Sequence, residues 1–149
     1  MGLYDALGVG ASGLSAQRLR VEALAENIAN SETTRTPQGG PYRRRQVVFE
    51  SAPASGAFGV ALSQATSRFD GQALEGVRVA RVEFEGTEPE RRYEPDHPDA
   101  DGDGYVMYPG FNPVEDMVDM TASVRSYQAN LAVIDAVRQM INATIDVAR

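Results

Sequence analysis

Both ends of the chain carry apolar residues at alternating steps of three and four. At the front the row is Leu3, Leu7, Gly10, Leu14, Gln17, Val21, Leu24 and Ile28. At the back it is Met117, Met120, Val124, Tyr127, Leu131, Ile134, Ile141 and Ile145, interrupted by Arg138, beside which Val137 can fill the gap. A row with a 3.5-residue period is one stripe of a helix that needs a second helix against it. Two such rows at opposite termini admit few architectures. The simplest is an antiparallel, coiled-coil-like pair closing over an inserted middle, with Val21 and Leu131 among the facing residues. The expected fold class is α+β: long N- and C-terminal helices and a small β-rich middle. The expected division is residues 1–34 and 112–149 for the helical parts and 35–111 for the middle.

The local signals agree. Asn112 suits a helix cap, Pro113 the first helical position and Glu115 the acid of a capping box. Asp116 and Asp119 place negative charge near the helix start, where the dipole favours it. The first helix is poor by itself. Gly8, Gly10 and Gly13 each cost about 0.8–1 kcal/mol relative to alanine in a helix interior. Burial of each Leu or Ile returns about 1.5–3 kcal/mol, so this helix depends on a partner that its glycines allow to come close. It should end near Asn30, in the turn-rich run Thr36-Pro37-Gln38-Gly39-Gly40-Pro41. In the middle, strands are expected in the second half of 42–50, at 58–63, at Val77–Glu85 and at Tyr105–Tyr108, with a loop at 64–76.

Several tempting motifs fail on context. Gly8-Val9-Gly10-Ala11-Ser12-Gly13 spells a dinucleotide-binding fingerprint, but only seven residues precede it and no βαβ unit follows. Arg43-Arg44-Arg45 lies in a chain of net charge −7 that has no lysine. It reads as a solvated strand end or a donor of salt bridges, not a nucleic-acid contact, and no nucleic-acid partner is expected. Asp99, Asp101, Asp103 and Gly104 match the front of a calcium loop, but its twelfth position holds Gly110 where a bidentate Glu belongs. A soluble calcium- or ligand-binding module is the alternative these residues support. His97 is the single histidine and there is no cysteine, so multi-histidine and thiolate sites are out. His97 reads as a turn residue before Pro98. No cofactor and no catalytic residue are expected. No apolar run is long enough to cross a bilayer, and Asp5 breaks any signal-like core at the N-terminus. Work outside the cytoplasm would need another route of exit.

Asn27-Ile28-Ala29-Asn30 followed by Thr33 resembles the N-terminal motif of the rod, hook and axial proteins of the bacterial flagellum. Pro41, Tyr42 and Arg43 extend the likeness, as do His97-Pro98-Asp99-Ala100 and Ser126-Tyr127-Gln128-Ala129-Asn130. It covers nearly the whole chain. Gly110-Phe111 depart from the family's usual Asn-Val, and residues 64–75 match nothing in it. The resemblance implies an assembly role for the matching residues and a structural subunit of the proximal rod in the basal body. It implies helices packed in the inner tube and partners among other rod proteins and further copies of the chain. It also implies export through the flagellar type III apparatus, without a cleaved signal or membrane insertion, into the rod in the periplasmic space, and no enzymatic activity.

Overall fold

A computed structural model describes residues 3–53 and 75–147. The elements run α1 (Leu3–Ala29), β1 (Arg45–Pro53), β2 (Glu75–Phe84), β3 (Glu90–Tyr93), β4 (Tyr105–Tyr108) and α2 (Pro113–Val147). The two long helices stand at the chain ends, as expected. Their 27 and 35 residues make rods of about 40 and 50 Å at 1.5 Å per residue. The strands at β1, β2 and β4 were also expected. The strand expected at 58–63 and most of the loop at 64–76 lie outside the described residues.

The helices pack antiparallel, and glycine sets how close they come. A Cβ added to Gly10 would stand 2.9 Å from Ile134 Cγ1, and one added to Gly13 would stand 2.8 Å from Asn130 Nδ2. Advancing three residues on α1 thus retreats four on α2. On this register Val21 lies level with about Ala122, not with Leu131, which sits roughly 13 Å further along the axis. The long-range partner of Val21 therefore differs from the one expected, because apolar periodicity fixes a face and not a register.

The expected row on α2 divides. Met120, Tyr127, Ile134 and Ile141 are partly buried, whereas Met117, Val124, Leu131 and Ile145 are exposed. Between the partly buried members lie Asp116, Ser123 and Val137, all buried, and Asn130. The row turned inward is therefore Asp116, Met120, Ser123, Tyr127, Asn130, Ile134, Val137 and Ile141, again in steps of four and three. On α1, Gly10, Gly13, Ala16, Ala23, Leu24 and Asn27 are buried, while Leu7, Leu14, Val21 and Ile28 are only partly so. Small residues thus line much of the contact. The cap of α2 comes from Asn112, whose Oδ1 accepts the Val114 N–H at 3.0 Å; the Glu115 side chain stays exposed.

β1 and β2 form an antiparallel hairpin from Arg45↔Phe84 to Pro53↔Glu75, with a bulge that leaves Ala80 unpaired opposite Val48/Phe49. The hairpin lies on α1. Val47 is buried, Ser12 Oγ accepts the Val77 N–H at 3.1 Å, and the Arg20 guanidinium stacks 4.0 Å from the Phe49 ring centroid. β3 and β4 form a second hairpin, Glu90↔Tyr108 to Tyr93↔Tyr105. Arg91 over Tyr105 at 4.4 Å and Arg92 over Tyr108 at 4.6 Å join its strands. Gly104 closes its turn at φ +81°, a conformation that favours glycine. Gly110 is needed for another reason: any Cβ there would collide with the Glu88 carbonyl oxygen.

The close helix contact makes a quantitative expectation. Gly10→Leu should lower stability by about 1–3 kcal/mol in urea unfolding, as overpacked interiors do. Gly86→Ala, where an added Cβ meets nothing within 4 Å, should change it by no more than about 0.5 kcal/mol.

Candidate assembly site

The side chains of the candidate motif gather at the C-terminal end of α1. Asn27 is 0% exposed. Its Oδ1 accepts the Arg45 backbone N–H at 2.8 Å, and its Nδ2 donates to the Arg45 carbonyl at 3.0 Å. One amide side chain thus plays the part of a neighbouring strand for the first residue of β1. The Tyr42 hydroxyl donates to the same Oδ1 at 3.0 Å. Burial, with the nearby Glu26 carboxylate, pushes the Tyr42 phenol pKa up, so it stays a donor. Asn30 ends the helix: its Nδ2 donates to the Glu26 carbonyl at 2.9 Å and its Oδ1 accepts from Thr33 Oγ1 at 3.1 Å. The Tyr42 N–H then donates to the Thr33 carbonyl at 3.0 Å. Asn27, Asn30, Thr33 and Tyr42 therefore form one network that turns the chain from helix into strand. Ala29 is exposed beside it, Pro41 half-buried and Arg43 exposed.

Beside this network sits an ion pair between β1's entry and α2. Arg44 Nε donates to Asp116 Oδ1 at 3.0 Å, Arg44 Nη2 bonds the same oxygen, and Arg44 Nη1 donates to Glu85 Oε2 at 3.0 Å. Asp116 is 0% exposed and its Oδ2 has no partner among the described residues. The hydrogen bond to Asp116 raises the Arg44 pKa above the ordinary guanidinium value; burial opposes this and Glu85 adds to it. Of the arginine triplet, Arg44 and Arg45 are salt-bridge donors, Arg45 to Glu26. Sequence reasoning placed Asp116 only as a dipole-friendly acid. The available signal was its spacing of four from Met120, which continues the inward row by one polar step.

The His97-Pro98-Asp99 stretch reaches the same end of the helix pair through the loop. Thr34 Oγ1 donates to Asp99 Oδ2 at 2.7 Å, and Arg35 lies 3.7 Å from its other oxygen. His97 Nδ1 accepts the Asp99 N–H at 3.1 Å, so the ring is a turn element; its other face meets Tyr108, centroids 6.3 Å apart. Pro98 is exposed. Asp101 Oδ1 accepts the N–H groups of Asp103 and Tyr105 at 3.0 and 2.8 Å. The Tyr105 amide, then that of Asp103, hold its pKa below the usual carboxylate range. These carboxylates serve the turn, and among the described residues no three His, Asp or Glu groups are placed to share an ion. The Ser126–Asn130 stretch is not brought here. It lies mid-helix: Ser126 Oγ returns to the Ala122 carbonyl at 3.0 Å, Gln128 and Ala129 are exposed, Tyr127 is partly buried and Asn130 packs on Gly13.

The chain's terminal regions match known families. Residues 7–35 match the family described as flagella basal body rod protein, and residues 103–147 that described as flagellar basal body rod FlgEFG protein C-terminal. A Borreliella burgdorferi flagellar basal-body rod protein FlgC is 39% identical over 97% of each chain. FlgC of Bacillus subtilis is 35% identical over the full length of both, and that of Salmonella typhimurium 38% over 97% of each.

The buried groups set the expected costs of substitution. Asp116→Asn should destabilise by about 3 kcal/mol, the low end for breaking a buried pair, because Arg44 keeps Glu85. Asn27→Ala should cost about 1–3 kcal/mol for each Arg45 backbone group it leaves unpaired. Chemical denaturation of each variant measures both.

Proposed function

The chain belongs to the flagellar basal-body rod protein FlgC family, and from that premise we propose how it works as a structural subunit of the proximal rod. Its task is mechanical: to form part of a shaft that carries torque. The helix pair would lie in the inner tube with other rod proteins and with further copies of the chain. The residues between the helices, 35–111, would stand further out. The network of Asn27, Tyr42, Arg44 and Asp116 ties β1 to both helices, so load entering the outer part reaches the tube without a flexible joint. Of the matching residues, Asn27, Asn30, Thr33, Tyr42 and Asn130 then act by fixing subunit shape. We assign no catalytic step to it. Export through the flagellar type III apparatus to the periplasmic space fits a chain in which no helix of the described residues is long and apolar enough to cross a membrane.

One observation carries the assembly reading. One stripe of α2, beside its packed row, exposes Met117 (48%), Val124 and Leu131 (44%), large apolar side chains seven residues apart and so aligned along the helix. An exposed apolar stripe of this kind suits a surface that another protein covers. The reading as a soluble calcium- or ligand-binding module gains nothing from the acidic turn, whose carboxylates bond Thr34 and the turn's own amides.

Leu131→Asp tests this reading. Because Leu131 does not face α1, the isolated chain should keep its unfolding free energy to within about 0.5 kcal/mol. Cells carrying it should lose swimming, and purified basal bodies should retain far less of the chain. Normal motility with normal retention would remove this stripe of α2 from the assembly.

A further inference from the structure

At the end of the helix pair away from Leu3, the loop after α1 and the open end of the β1–β2 hairpin enclose a groove of about 340 Å³. Its lining includes Gln38, Pro41, Tyr42, Arg43 and Phe84. Phe84 is 54% exposed, so most of a large apolar ring is left to water. Two guanidinium groups flank it, Arg43 with Cζ 5.9 Å and Arg45 with Cζ 5.6 Å from its centroid. Arg45 is paired with Glu26, whereas Arg43 has no carboxylate partner among the described residues. The groove therefore offers an open aromatic surface beside an unspent positive charge. It suits a segment that presents an aliphatic side chain next to a carboxylate.

The opposite end of the molecule presents that combination. With Gly10 level with Ile134, Leu3 is level with about residue 141. α2 continues to Val147, so about six residues, roughly 9 Å of helix, project past the start of α1. They carry Ile145, 60% exposed, and the exposed Asp146, which has no cationic partner among the described residues. A projecting end and a receptive groove at opposite poles of one subunit make a head-to-tail contact, the kind that propagates along an axis unless its rotation closes a ring.

We infer that the Arg43–Phe84 groove receives the projecting C-terminal helix end of an adjoining rod subunit. The aliphatic side chain of that end seats against Phe84 and its carboxylate pairs with Arg43. The inference rests on the reading of the chain as a rod subunit and adds the partner segment to it. A photo-crosslinking residue at Gln38, on the exposed rim, tests it in cells from which basal bodies are then isolated. The expected adduct joins Gln38's position to the last two turns of a rod subunit's C-terminal helix, identified by mass spectrometry of the cross-linked peptide. No adduct, or adducts to other segments or to proteins outside the rod, overturn the inference. A second measurement does not depend on that residue. Arg43→Glu should lower the amount of chain retained in basal bodies about tenfold, while Arg43→Lys stays within about twofold of the unaltered chain. Equal retention of Arg43→Glu overturns the inference and leaves the assembly reading standing. Absence of the unaltered chain from purified basal bodies overturns both.

Discussion

The pairing of Arg44 with Asp116 is the interaction on which the rest of the arrangement depends. Asp116 sits in the first turns of α2 with no exposed surface, and a lone carboxylate cannot be taken out of water there without a large penalty. It is tolerable only when Arg44 arrives, and Arg44 arrives only when β1 leaves α1 in the right direction. Asn27 enforces that direction by taking both backbone groups of Arg45, the next residue. Three elements distant in sequence are thereby made to dock together: none reaches its low-energy state while another is out of place. The pair adds little to stability compared with a good apolar contact. Its effect is on which arrangement is allowed.

The inward row of α2 follows the same logic. Asp116, Ser123 and Asn130 are seven residues apart, so a polar side chain recurs on the side that meets α1. Polar residues in such a seam cost stability and fix register, because a slip by one heptad strands each of them against the wrong neighbour. Asn130 against Gly13 and Asp116 against Arg44 are two points of that register, about 20 Å apart.

Much of the fold was legible. Long helices at both ends, the β1, β2 and β4 strands and the α+β class follow from periodicity and turn residues. What periodicity did not convey is which of two adjacent stripes of α2 turns inward. Met117, Val124 and Leu131 looked like the seam because they are apolar; Asp116, Ser123 and Asn130 won it because small and hydrogen-bonding partners on α1 and β1 were waiting. That outcome depends on tertiary contacts that one helix's sequence does not contain. β3 was missed for a related reason: Glu-Arg-Arg-Tyr has poor strand character, and pairs with β4 through arginines stacked on tyrosines. At the site, the motif residues near Asn27 were placed by resemblance, and the physical account of Asn27 and Arg44 came only from geometry.

The pairing of Pro53 with Glu75 has a consequence for how such chains diverge. The two strand ends meet, so the chain leaves and re-enters the hairpin at one neck, whose closure the β1–β2 pairing already makes. Closure entropy grows only with the logarithm of loop length, about 0.6 kcal/mol for each doubling. By closure alone, a change in the number of residues between Pro53 and Glu75 would cost little, and neither the bulge at Val48/Phe49 nor the helix register would need to respond. The helix pair is in this sense insulated from the number of residues that the far end of the hairpin spans.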